Sequence, residues 1–281
     1  MLIFLGACLL AAVVHSLHAD ETAAQKANDF LKKAKDTLSK GDTKEAIELA
    51  GQAIARDPKD PQGYLFRGVV HESMQRHGEA IQDFDKAIEL NPKMAEAYDR
   101  RGSEHFKLGH IQESIKDFDK FLELRPAAKP GHWKRGISLY YAGRFEDGRK
   151  QFEGYQTVDS NDVENAVWRF LCMARESGVD KARSDMLKIG KDPRVPLMQV
   201  YDLYRGQAKP EDVLEAVRQG QPNESEQKLR SFYAHLYLGL YAEVIGDKKK
   251  ALEHLKAAED LPIGGYMRDV ARVHRAMLEK K

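Results

Sequence analysis

Cysteine is almost missing from this 281-residue chain, which has only Cys8 and Cys172. At most one intramolecular disulfide could form, so the fold must rest on packing. Proline is sparse too, at ten residues, while Ala, Glu, Lys, Leu and Arg are abundant. Few helix breakers among many helix formers point to an all-α chain. Charge of one sign is also lacking: 45 basic and 44 acidic side chains leave a formal charge of +1. No global field recruits nucleic acid, and no nucleic-acid partner is expected. The N-terminal apolar run, within MLIFLGACLLAAVVHSLHA, is about 16 residues and falls short of a membrane span.

That run contains no Lys, Arg, Asp or Glu before Asp20. It reads as a secretory signal, residues 1–19, cut after Ala19, so an exported mature chain beginning at Asp20 is expected. Leu5-Gly6-Ala7-Cys8 also has the shape of a lipoprotein cleavage box. LLAAVV follows it where a polar tether belongs, so membrane association is expected only if Cys8 is lipidated. After cleavage Cys172 stands alone, and its setting in VWRFLCMARE makes it a buried small hydrophobe rather than a nucleophile.

What is present is a period. Gly68, Gly102 and Gly136 are spaced 34 residues apart, as are Phe84, Phe118 and Phe152, and Pro58, Pro92 and Pro126. A fixed interval of this length is the signature of tetratricopeptide repeats, each an antiparallel helix pair. The expected fold is a right-handed solenoid of such hairpins, with an irregular helical insert and a C-terminal capping helix. Four repeats are expected at about 27–60, 61–94, 95–128 and 129–162, and a fifth at 232–265 around Gly239, Ala251 and Leu255. In the connector 163–231 the period fails; helices are read at 162–177, 179–190, 195–205 and 210–219, and 266–281 is the cap.

Arg67, Arg101 and Arg135 take a place that the repeat pattern gives to a large apolar residue. Asp83 and Asp85, then Asp117 and Asp119, follow at matching phase, so internal ion pairs are expected, with a row of anion-binding arginines as the competing reading. Gln151 and Glu153 stand at the equivalent places of the fourth copy.

A partner-binding groove should be lined by the first helix of each pair. Counting from the register gives Leu65, Val69 and Glu72; Asp99, Ser103 and Phe106; then Trp133, Ile137 and Tyr140, with Tyr141 beside them. Aromatic side chains bury large areas at little entropic cost, so Trp133 and Tyr140 attract attention. Packing against the helix at 163–175 is the competing role for both.

No catalytic constellation, metal site or cofactor motif is found. His71 and His105 recur at the phase of a core aromatic and lack the spacing of a helical zinc site. LPIGG at 261–265 has neither the lysine nor the spacing of a phosphate loop. Asn223-Glu224-Ser225 is a glycosylation sequon only for a eukaryotic secreted chain.

From about Tyr64 to Arg175 the chain resembles bacterial envelope lipoproteins of the NlpI type. HWKRGISLYYAGR and FEGYQTVDSNDVENAVWRFL are similar to that family's fourth-repeat helix and its link into a tryptophan helix. YDLYRGQAKPEDVLEAV resembles its short insertion, and 232–278 its last repeat and terminal helix. The resemblance implies a non-enzymatic adaptor, generally dimeric, that brings cell-wall hydrolases to a periplasmic processing protease. A structural subunit of a larger envelope assembly is the alternative.

Overall fold

The computed structural model describes residues 22–280. The expected leader, Cys8 included, lies outside them. Regular structure among the described residues is entirely helical, which makes this an all-α tetratricopeptide fold. The chain divides into one unit ending at His105 and another beginning at Phe106.

The first unit holds α1 over 22–39, α2 (Thr43–Arg56), α3 (Pro61–Ser73), α4 (His77–Leu90) and most of α5 (Ala95–Lys107). Asp42 starts α2 by accepting from the Glu45 N–H at 3.0 Å. Asp60 starts α3 by accepting from Gln62 N–H at 2.9 Å, with Pro61 in the first turn where no donor is needed. Ala46, Ala50 and Ala53 of α2 pack with Phe66 and Val70 of α3, and Phe84 of α4 packs with Leu65. A Cβ on Gly68 would lie 2.6 Å from the Phe84 ring, so the α3 backbone itself forms one wall of that contact.

Turns between paired helices repeat at the same interval. Gly41, Gly109 and Gly143 have φ of 88°, 78° and 74°, and Gln75 holds the matching place at 58°. Gln75 alone of the four carries a Cβ into left-handed backbone. Gln75→Gly removes about 1–2 kcal/mol of that strain and adds about 0.4–1 kcal/mol of unfolded-state entropy. Urea titration should show a net gain of roughly 0.5–1 kcal/mol on those two estimates, and Gln75→Ala should show none.

The second unit begins at the end of α5 and contains α6 (Ile111–Leu124), a 3-10 turn at Pro126–Ala128, α7 (Trp133–Tyr141) and α8 (Phe145–Tyr155). Gly136 repeats the close approach, 2.6 Å from the Phe152 ring to its would-be Cβ. Next comes α9 (Val163–Ser177), capped by Asp162 accepting from Glu164 and Asn165 N–H, at 2.9 and 3.3 Å. Cys172 on α9 is fully buried against α8, where a Cβ on Gly148 would stand 3.0 Å from its Sγ. Burial pushes its thiol well above the ordinary range, so it stays protonated.

The connector is less helical than its sequence pattern suggests. α10 (Val179–Ser184) stops six residues before the expected end at 190. Side chains hold the following irregular segment instead: Tyr201 Oη donates to Leu187 O at 2.8 Å, and Asn161 Oδ1 accepts from Gly190 N–H at 2.8 Å. α11 (Leu197–Tyr204) and α12 (Pro210–Ala216) are short. α13 (Glu224–Val244) starts eight residues before the expected repeat boundary at 232, capped by Asn223, and pairs with α14 (Lys248–Glu259). α15 (Tyr266–Lys280) packs on α14 and sends aromatic groups to α7.

Candidate interaction site

The arginines form a ladder at the 34-residue interval. Arg67 is bidentate to Asp83, through Nε at 2.9 Å and Nη2 at 2.6 Å. Arg101 reaches back to Asp85 at 2.6 Å. Arg135 donates to Asp119 at 2.6 Å and to Gln151 Oε1 at 3.3 Å. Asp117 is itself buried at 3% exposure. A further rung sits on α9: Arg169 donates to Glu153 at 3.1 Å and to the Asp185 carbonyl at 2.6 Å. Each of these pairs spans 16 residues, forward or back. Phase alone would have found Arg169, 34 residues past Arg135, but Phe170 takes the place of the glycine and hides it.

The expected groove is corrected by burial. Phe106, Ile137 and Tyr140 are core residues at 0%, 1% and 5% exposure, and Leu65 and Ser103 are buried as well. Val69, Glu72, Asp99, Trp133 and Tyr141 are half-buried. In the second unit the cause is plain, because two helices fill the face that α7 presents. Trp168 of α9 meets Tyr140 edge-on at 5.5 Å. Tyr266 of α15 stacks on Phe106 at 5.0 Å and meets Trp133 edge-on at 5.2 Å. Tyr141 Oη lies 3.0 Å from His274 Nδ1 of α15.

Two cavities remain beside these contacts. One, about 260 Å³, is walled by Trp133, Tyr155, Trp168 and Tyr233, with Met267 of α15 at its side. The other, about 200 Å³, lies at Tyr140, Tyr141, Phe145, Met277 and the Arg175–Glu243 ion pair. The aromatic set expected to form one groove is thus divided between two recesses.

Arg194 sets the electrostatics of the larger recess. Its guanidinium donates to Asp192 at 2.5 Å, Glu164 at 2.7 Å and Asp162 at 3.0 Å. Burial opposes ionisation of Asp192, but its bonds from Arg194 and from Val163 N–H hold its carboxyl below the usual range. Burial raises Glu164, which accepts from Tyr237 Oη at 2.5 Å. Burial likewise pushes Tyr233 up to about 12, so its hydroxyl remains a donor at neutral pH. Among the described residues, no group of three or more His, Cys, Asp or Glu is placed to hold a metal, and no helix is long and apolar enough to cross a membrane.

Histidines give the fold an acid limit. His235 of α13 and His254 of α14 face each other with Nδ1 atoms 3.0 Å apart. Burial lowers both pKa values, the His254 imidazole further disfavours charge on His235, and burial also lowers His71. Their folded values lie below the unfolded value of about 6.5. Between the two the unfolded chain binds more protons, so this contribution is present above pH ~6.5 and is lost as pH falls through that window. The thermal midpoint should therefore drop from pH 7 to pH 5, and by less in the His235→Gln, His254→Gln double variant.

The paired-helix architecture, with a glycine at the α3–α4, α7–α8 and α13–α14 crossings, defines a helical-hairpin repeat protein. Residues 31–95 and 95–127 match family models described as tetratricopeptide repeat. The chain is a tetratricopeptide-repeat protein. It is similar to a tetratricopeptide repeat protein from Parabacteroides merdae, at 16% identity and a TM-score of 0.59, covering 91% of this chain and 99% of that one. MamA from Desulfovibrio magneticus RS-1 is similar at 17% identity and a TM-score of 0.53, over 57% of this chain and 90% of that one. The first repeat domain of Spaghetti, solved with an HSP90 peptide, shares 30% identity over 37% of this chain and 82% of that one, at a TM-score of 0.36. No curated protein matches the sequence.

Proposed function

We propose that this protein is a scaffold that holds another protein, with anchoring side chains of that partner seated in the aromatic recesses of the second unit. The recess at Trp133, Tyr155, Trp168 and Tyr233 carries the reading. At about 260 Å³ it falls below the roughly 300–1,000 Å³ of small-molecule and cofactor sites. A single large side chain from a partner suits such a space, and aromatic walls are what interface hot spots use. The half-buried Trp133 edge and the Arg194 cluster would supply the polar rim.

The finer reading places the scaffold in the cell envelope after export, where it would present wall hydrolases to a processing protease, as the resemblance to NlpI-type lipoproteins implies, and self-associate. Affinity capture from an envelope extract with the wild-type chain and with Trp133→Ala, Tyr233→Ala tests this. Partner recovery should fall at least tenfold while helicity is retained, as loss of two hot-spot aromatics requires. Equal recovery by both forms would remove the recess from the interface, and recovery of nothing by the wild type would favour a structural subunit.

A further inference from the structure

A different part of the second unit breaks the charge pattern of the ladder. Position 151 holds a neutral glutamine at the phase where the second and third repeats have Asp83 and Asp117. Asp83 occupies two guanidinium nitrogens of Arg67. Gln151 takes only one from Arg135, through Oε1 at 3.3 Å, and spends its Nε2 on the Lys129 carbonyl at 2.6 Å. Asp119 takes Arg135 Nε, so Nη2 has no hydrogen-bond partner among the described residues, and it is not sealed from solvent.

That free edge belongs to a residue lining an open cleft of about 490 Å³. Lys129, Lys150, Asp147 and Gly154 line it too, between two prolines. Lys150 is tied to Glu146 at 2.6 Å and Asp147 to Arg144 at 2.7 Å. Lys129 has no carboxylate within 4 Å among the described residues. What is left is the one uncompensated ammonium of Lys129 beside the unused donor edge of Arg135, whose charge Asp119 already balances, and this matches a single negative charge with two oxygens.

We propose that this cleft binds a carboxylate, presented by an acidic side chain of the protein partner, between Arg135 Nη2 and Lys129 Nζ. The identity of the ligand as part of a protein rests on the scaffold reading; the site itself does not. An aspartate at 151 would put the missing carboxylate of the ladder back and fill the place of the ligand. Lys129→Gln removes the other cation and leaves the bond from Gln151 to the Lys129 carbonyl intact.

The test is titration of the purified full chain with a blocked glutamate tripeptide and, separately, with inorganic phosphate, read by amide chemical shifts. The tripeptide should shift amides around 129–135 and 150–154. Gln151→Asp and Lys129→Gln should each weaken it roughly tenfold or more, as expected for losing one charge-assisted contact. Binding unchanged in both variants, or shifts elsewhere only, would overturn the proposal. Phosphate binding at the site with no tripeptide binding would overturn the carboxylate assignment. If the tripeptide binds here but no protein is captured, the scaffold reading fails and the anion site stands. If capture is unaffected by Gln151→Asp and no tripeptide binds, the anion site fails and the scaffold reading stands.

Discussion

Trp168→Ala should lower the unfolding free energy by about 3–5 kcal/mol, the usual range for emptying a fully buried aromatic site. Trp168 is 2% exposed and lies against Tyr140, Tyr141 and Phe152 at 5.5, 6.3 and 6.3 Å between ring centres. Through these rings it ties α9 to both α7 and α8. It also lines the larger recess, so its removal merges packing volume with that space. Trp168→Phe keeps most of the buried area and should cost markedly less. Chemical denaturation of both variants measures the difference directly. A loss below about 1 kcal/mol for alanine would mean that the core collapses around the gap far better than buried sites normally do.

Arg194→Ala carries the second large effect. Three carboxylates converge on this one guanidinium, and Asp192 among them is 5% exposed. Removing the cation leaves Asp192 buried beside Asp162 and Glu164 without a counter-charge. Breaking a buried pair from one side costs about 3–5 kcal/mol, and the half-exposed arginine places this case near the lower end, at about 3 kcal/mol. Arg194→Lys should recover little, because one ammonium cannot offer the planar fork that three acceptors share. Since Asp192 also accepts from Val163 N–H at 3.2 Å, the variant should loosen the 186–196 segment first. Hydrogen exchange at Gly190 and Lys191, whose N–H groups bond to Asn161, should rise before that of α9.

Local periodicity made the helix pairs readable, since Gly68 and Phe84, or Gly136 and Phe152, are contacts within one hairpin. The ion pairs were readable for the same reason: 16 residues is a fixed offset between two helices in contact. Other features depend on contacts that no local pattern encodes. Tyr141 and His274 are 133 residues apart, so the cover that α15 lays over α7 could not be counted from the repeat register. That cover, together with Trp168 of α9 against Tyr140, is why α7 presents core rather than groove. The 185–196 segment escaped because its order comes mainly from Tyr201, Asn161 and Asp192 side chains, with backbone hydrogen bonds only at its two ends. Gln151 was visible as an exception to the pattern, but only the cleft beside Arg135 gives the exception a meaning.

A partner's side chain seated in the recess beside Trp133 should be captured by photo-crosslinking, with a benzophenone amino acid placed at Tyr155 on the recess wall and, as a control, at Val158, which is 56% exposed and does not line it. The full chain would be expressed in cells with each substitution and irradiated. A discrete protein adduct at position 155, absent at 158 and lost when Trp133→Ala is added, is the expected result. Adducts absent at 155, or equally abundant at both positions, would contradict it.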